Sequence, residues 1–329
     1  MILGLPFQLF AAPILAFLIA YLTIFWLIKL VSLLNIIDIP NNRSLHTNPI
    51  PRTGGLGLIG SIFITWLLFV DTFPTSLLLA LILVSTISFA DDVKSLPVWS
   101  RLSVHTIAAM LLATNLFLDT HNWLFVIITA LVIIWITNLY NFMDGSDGLA
   151  GGMAVIGFSF YGIAALLNGD INFAIISFSI TASALAFLRF NFYPAKIFMG
   201  DSGSISLGFL AASLGLLGWK NNIWSLWLPL LIFSPFIADA TVTFIKRLFQ
   251  GKKIWQAHNE HYYQRLIKCG LGHRNTALSA YVLMLMVGST AILSARFEFA
   301  QQTLISCMWG IAYLVIMHAF DRYQSHHNR

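Results

Sequence analysis

Long apolar stretches alternate with short polar ones along the whole chain. Eleven apolar stretches stand out, at roughly 8–33, 55–70, 74–90, 100–118, 123–140, 150–167, 171–190, 203–219, 224–245, 276–294 and 302–320. Most have the length of a helix that crosses a hydrocarbon core of about 30 Å. The pattern predicts an all-α integral membrane protein of about eleven helices in one bundle. No internal repeat or soluble insert interrupts it, so residues 1–329 read as a single polytopic domain.

Composition sharpens this. Charged residues make up 9% of the chain and hydrophobic ones 58%, where a soluble domain carries about 25% charge. The net charge of +5 does not point to nucleic acid, because the basic residues flank the apolar stretches. Sixteen of the 18 Lys and Arg fall on one side of the expected topology, and only Lys220 and Arg296 on the other. By the positive-inside rule the N-terminus is expected outside and the C-terminus in the cytoplasm. The first Lys, Lys29, follows the first apolar stretch, so no cleavable leader is expected. Cys269 and Cys307 form no disulfide framework or metal-ligand spacing. Nothing in the sequence fixes an oligomeric state.

The connections differ by side. DTFPT, DTHN, NGDIN, WKNN and RFEFAQQ are plain turns outside, and every elaborate loop is cytoplasmic (about 38–54, 89–100, 141–152, 190–204 and 246–275). NLYNFMDGSDGLAGG, Asn138 to Gly152, carries Asn138, Asn141, Asp144, Asp147 and four glycines between two apolar stretches. Carboxylates at the end of a membrane segment are functional candidates by default. Hard oxygen ligands suit Mg²⁺, or Mn²⁺ in its place. If helix continues that far, Asn141, Asp144 and Asp147 share one face.

The other cytoplasmic loops each offer chemistry beside a plainer reading. IPNNRSLHTNPIPRTGGLG contributes Arg43, His46 and Arg52 for phosphate oxygens, or only anchoring charge and a turn. SFADDVKSLP contributes the adjacent Asp91 and Asp92, suited to proton removal, with Lys94 to hold an anion; a helix cap is the alternative. RFNFYPAKIFMGDSGS places Asp201 and Ser202 as an N-cap would be, with free N–H groups for a phosphate and Asp201 as a metal ligand. In the longest loop His258, His261 and Arg265 could bind a diphosphate, or the segment lies at the interface. Asp239, inside the ninth stretch, is expected to face the bundle as structural support.

These residue types and this topology point to metal-assisted phosphoryl chemistry at the inner face of a membrane. A transporter would use its carboxylates near the bilayer midplane, whereas here nearly all lie at the cytoplasmic ends. A non-catalytic scaffold is the third possibility.

PNNRSLHTNPIPRTGG, FADDVKSLP, NLYNFMDGSDGLAGG, FMGDSGS and AHNEHYYQRL together resemble the polyprenyl-phosphate N-acetylhexosamine-1-phosphate transferases (glycosyltransferase family 4), in family order. The span count and the AHxxHYYQRL form of the last loop resemble the O-antigen-initiating branch rather than the phospho-MurNAc-pentapeptide transferases. The resemblance implies a bacterial inner-membrane enzyme that moves a sugar-1-phosphate from a UDP-sugar to undecaprenyl phosphate, leaving UMP. It implies Mg²⁺ on Asp201 with Asn141 as a second contact, Asp144 and Asp147 near nucleotide and metal, and Asp91 and Asp92 near the lipid phosphate. Asp91 is the group expected to deprotonate or orient that phosphate for direct attack, and the competing scheme makes a carboxylate the nucleophile. The family's clustered histidines are reduced here to HNEH, which leaves an N-acetylhexosamine or a 6-deoxy N-acetylsugar as donor.

Overall fold

Ala12, Ala16, Ala20 and Ile24 recur every four residues on helix α1 (Gln8–Lys29) and are buried. Phe10, Ile14, Leu18, Leu22 and Trp26 recur at the same interval and are exposed. In water the bulky stripe would turn inward. In lipid the small stripe lets neighbouring backbones approach and the bulky stripe meets acyl chains. Lys29 ends the helix with its ammonium 4.4 Å from the Phe25 ring centre, a cation where the helix dipole favours one.

The computed structural model describes residues 6–30, 36–38, 49–253 and 258–327. After α1 come a two-residue antiparallel pair, β1 (Ile37–Asp38) and β2 (Ile50–Pro51), then α2 (Gly54–Phe69), α3 (Thr75–Lys94), α4 (Val98–Phe117), α5 (Trp123–Phe142), α6 (Leu149–Leu167) and α7 (Ile171–Asn191). The chain continues through α8 (Gly200–Lys220), α9 (Trp227–Ile232), α10 (Ser234–Phe249), α11 (Tyr262–Leu266), a π turn (Ile267–Leu271), α12 (Gly272–Ser294) and α13 (Phe299–His327). Among the described residues, eight helical stretches are long and apolar enough to cross a membrane, α11 to α12 counting as one. Helix α2 is apolar but shorter.

The stretch expected at 224–245 is two helices rather than one. Phe233 separates α9 from α10, and Pro235 stands in the first turn of α10. Proline has no N–H to give the preceding turn and its ring crowds that backbone, so it starts a helix more easily than it continues one.

Helix α8 is the centre of the bundle. Every residue from Ser202 to Gly218 is buried, against α2, α3, α4, α5, α6 and α9. Small residues make this possible. A Cβ on Gly55 of α2 would lie 2.3 Å from the amide nitrogen of Gly203, so the two backbones touch where α8 begins. The chain is tied there by a short backbone ladder: Phe198 donates to the Pro51 carbonyl, Gly54 to that of Phe198, and Gly55 to that of Met199. The N-terminus of α8 is thereby fixed beside the first loop and the end of α3.

Candidate active site

Asp91 and Asp92 share the last turn of α3, and successive helical residues point about 100° apart, so the two carboxylates go to different partners. Asp92 is buried. Its Oδ1 accepts the Asp201 N–H and its Oδ2 the Ser202 N–H, each at 2.9 Å. First-turn N–H groups have no partner inside their own helix, and an anion there also meets the positive end of the dipole. The expectation that these amides are free for a phosphate is therefore corrected: Asp92 occupies them. Nor is Asp201 an N-cap, since α8 starts at Gly200 after Met199. Gly200 has φ +70°, and a Cβ there would lie 2.8 Å from Asp92 Oδ2 and 2.5 Å from the Arg52 carbonyl. Arg52 in turn donates from Nη2 to the Asp92 carbonyl at 2.9 Å.

Asp91 faces Arg101 on α4. Arg101 Nη1 lies 2.7 Å from Asp91 Oδ2 and 2.8 Å from Asp201 Oδ2, and the Leu96 N–H reaches Asp91 Oδ1 at 2.5 Å. One guanidinium thus joins two carboxylates from different loops.

Helix α5 stops at Phe142, so Asn141 is helical while Asp144 and Asp147 sit in the turn before α6. The shared helical face is not formed; the turn does the gathering instead. Asn141 Oδ1 accepts the Ser204 hydroxyl at 2.7 Å. Asp147 Oδ2 accepts the Ala195 N–H at 3.0 Å, and its Oδ1 is 3.7 Å from His273 Nδ1. The Gly148 N–H donates to Asn191 Oδ1, whose amide donates on to the Ile197 carbonyl. Burial, then repulsion from Asp201, Asp92 and Asp147, raises the Asp144 carboxyl well above the usual carboxylate range.

Two cavities adjoin at Asn141. The first, about 220 Å³, is lined by Arg52, Asp92, Asn141, Asp144, Asp147 and Asp201, with Asp38, Asn191, Gln264 and His273. The second, about 410 Å³, has apolar walls (Val98, Leu102, Phe142, Ile205, Phe244) and a polar rim of Arg101, Asn138, Asn141, Arg247, His258 and His261. The His258 and His261 rings are 4.8 Å apart. Burial first, then His261 and Arg247, push His258 down to about 4.

The expected residues divide accordingly. Arg52, Asp92, Asn141, Asp144, Asp147 and Asp201 meet at the first cavity. Asn138, His258 and His261 meet at the second. Asp91 stands behind Arg101, and the buried Ser202 gives its N–H to Asp92. Lys94 is exposed at the end of α3. Arg265 faces α13, 2.8 Å from Asp321 Oδ1 and 3.0 Å from Gln324 Oε1. Arg43 and His46 lie outside the described residues. Asp239 accepts the N–H groups of Tyr262 and Tyr263 at 2.8 and 3.0 Å, holding the start of α11.

Sequence reasoning missed Arg101, His273, Gln264 and Asn191. Arg101 counted only as anchoring charge, although Pro97 between it and Asp91 signalled a chain reversal that could bring them together. For His273 the flanking glycines were the only hint.

The first cavity suits a divalent cation by its donors. Its carboxylates repel one another, and Asp144 carries the effect. Among the described residues no three His, Cys, Asp or Glu side chains are arranged to hold an ion by themselves. Mg²⁺ needs only one or two carboxylates, completing its shell with water and phosphate oxygens, so the set fits.

Comparison with known proteins adds to this geometry. Residues 74–218 match Glycosyl transferase family 4. The chain is 31% identical over 301 residues, 85% of its own length and 84% of the relative's, to a probable undecaprenyl-phosphate N-acetylglucosaminyl 1-phosphate transferase of Bacillus subtilis. It is 28% identical over 318 residues to a decaprenyl-phosphate N-acetylglucosaminephosphotransferase of Mycobacterium tuberculosis, covering 82% of the chain and 78% of the relative. A phospho-N-acetylmuramoyl-pentapeptide-transferase of Listeria welshimeri is 37% identical over 158 residues, 46% of the chain and 47% of that protein.

Proposed function

The chain belongs to glycosyl transferase family 4, and from that premise we propose that it moves an N-acetylhexosamine-1-phosphate from a UDP-sugar to undecaprenyl phosphate. An oxygen of the lipid phosphate attacks the β-phosphorus, the bond from that phosphorus to the bridging oxygen breaks, and UMP leaves. The observation that carries this reading is convergence. Residues from five separate loops meet at one acidic cavity, which adjoins an apolar cavity with a basic rim.

The residues then divide the work. Asp201 and Asn141 would hold Mg²⁺, and Asp144 and Asp147 line the same cavity. Bound there, the cation would draw charge from the diphosphate oxygens. Arg52 faces the donor phosphates from the first loop. The apolar cavity takes the first isoprene units of the acceptor, and Arg247, His258 and His261 meet its phosphate. His258 is neutral near pH 7 and can donate one hydrogen bond without adding charge. Asp91 has both oxygens engaged, so its role is to orient Arg101 rather than to remove a proton.

In the membrane we propose eleven spans in one domain, with the N-terminus outside and the C-terminus and catalytic loops in the bacterial cytoplasm. The charge asymmetry and the helices on the apolar stretches, the one at 224–245 broken in two at Phe233, support this. The relatives named for N-acetylglucosamine align over most of the chain, and the muramoyl-pentapeptide relative over less than half. That favours an N-acetylhexosamine donor, a 6-deoxy N-acetylsugar included, for initiating a cell-surface polysaccharide such as O-antigen.

The test incubates purified protein with undecaprenyl phosphate, Mg²⁺ and a panel of UDP-sugars, and follows UMP. Release with a UDP-N-acetylhexosamine, abolished by EDTA and restored by Mg²⁺, is expected. Release only with UDP-MurNAc-pentapeptide moves the enzyme to the other branch, and no release with any donor sinks the proposal.

A further inference from the structure

Two more cavities lie against the neighbouring face of α10, on the side of α11 and α13. One, about 540 Å³, is polar and lined by Lys246, Arg247, Lys252, Arg265 and Lys268 with Glu260 and Asp321. The other, about 310 Å³, is apolar, with walls from Phe236, Leu266, Leu283, Met284, Ile316 and Phe320. Tyr262 lines both. The two are stacked along the helices. On α10 the lining changes from Pro235, Phe236 and Asp239 to Thr243, Lys246 and Gln250. On α13 it changes from Ile316, Met317 and Phe320 to Asp321 and Gln324. Both helices thus cross from apolar to charged at the same end.

The charges in the polar cavity do not balance. Asp321 is shared by Lys246 and Arg265, and Glu260 by Arg247 and Lys252. Lys268 rests on the Asn259 carbonyl. Among the described residues that is five cations against two carboxylates. None of Asp91, Asp92, Asp144, Asp147 or Asp201 lines either cavity, so a phosphate bound here is away from the acidic machinery.

We propose that this pair of cavities is a binding site for an anionic diacyl phospholipid of the surrounding membrane. The phosphodiester occupies the cationic cavity and part of one acyl chain the apolar cavity, with Tyr262 between them. Cationic clusters at the edge of a membrane attract anionic headgroups. Here a slot for the chain lies directly beneath the cluster, which free phosphate could not use. The outer face of α13, with Leu304, Met308, Ile311 and Leu314 exposed, faces the surrounding lipid. The inference needs only membrane residence, and among the described residues Arg247 is the one side chain that lines both this cavity and the proposed acceptor cavity.

The test is native mass spectrometry of the full-length protein in detergent, titrated with phosphatidylglycerol or with phosphatidylcholine of the same chains. Wild type is expected to retain phosphatidylglycerol preferentially. Lys252→Gln with Lys268→Gln is expected to cut that preference about tenfold. Ala280→Phe, which fills the apolar cavity, is expected to weaken retention of both lipids; Ser279→Phe at the rim serves if that variant does not fold. Equal retention of the two lipids by wild type, or an unchanged preference in the double lysine variant, overturns the proposal. So does displacement of phosphatidylglycerol by one equivalent of undecaprenyl phosphate, or by equimolar inorganic phosphate.

Discussion

Asp92 and Asp201 are 109 positions apart, and Oδ1 of the first accepts the backbone N–H of the second at 2.9 Å. The carboxylate of one conspicuous motif is therefore the anchor for the helix that presents the other. Asp92→Asn replaces one accepting oxygen with an NH₂ that meets an N–H. The variant is expected to lose about 1.5–3 kcal/mol of stability, the range for a hydrogen bond to a charged group, together with most UMP release. A melting curve in detergent beside the UMP assay decides the role. Full inactivation with no change in melting temperature would mean that Asp92 touches substrate instead of positioning Asp201.

Arg101 holds Asp91 and Asp201 with one guanidinium nitrogen, Nη1. Lysine has a compact ammonium and no planar fork. Arg101→Lys is expected to lower UMP release about tenfold and Arg101→Ala about a hundredfold, where each tenfold is about 1.4 kcal/mol of barrier. Lys94→Gln, altering a solvent-exposed charge at the end of α3, is expected to change the rate less than about threefold. The reverse order of sensitivities in the same assay would return the phosphate-holding role to Lys94.

The residues at the acidic cavity were legible in the sequence because chemistry that membrane segments avoid stands out against apolar flanks. Asp92, Asn141, Asp144, Asp147 and Asp201 each stand just beyond the end of such a stretch. What the sequence did not carry was direction. Whether Asp92 faces a substrate or the amides of α8 depends on how α3 rotates against α8. Gly200 packs against Asp92 and Arg52, and Gly55 meets Gly203 where α8 begins; none of these three glycines stands out from the chain's others. Arg101 was hidden for a related reason: an arginine at the edge of a membrane segment usually anchors, and only the fold brings it between two carboxylates. Arg265 shows the converse, a basic residue among candidate ligands that Asp321 and Gln324 draw to α13.

His258 gives a pH dependence with a definite sign. Burial, His261 and Arg247 hold it near 4 in the folded protein against an ordinary 6.5; Glu260 works the other way, and Lys252 adds to the lowering. Between those values the unfolded chain binds a proton that the folded chain does not. Stability from this group is therefore full above about pH 6.5 and declines as the pH falls toward 4. His258→Gln removes the linkage. Its melting temperature is expected to fall less between pH 7 and pH 5 than that of wild type, and parallel curves would refute the assignment.

Gly200 separates two costs that glycine usually combines. Alanine at φ +70° is strained by roughly 1–2 kcal/mol, and at this position its Cβ would also press on Asp92 Oδ2 and the Arg52 carbonyl. Gly169 has a similar φ of +79° with nothing near the site of a Cβ, so Gly169→Ala carries the strain alone. It is expected to lower the melting temperature slightly and to leave turnover at the wild-type level. Gly200→Ala is expected to lose more stability and also activity, because a shift of Asp92 or Arg52 moves the first turn of α8 and Asp201 with it. Equal effects of the two substitutions on melting temperature and on UMP release would show that the crowding at Gly200 is relieved without disturbing Asp92, and that the alignment of Asp201 does not depend on this contact.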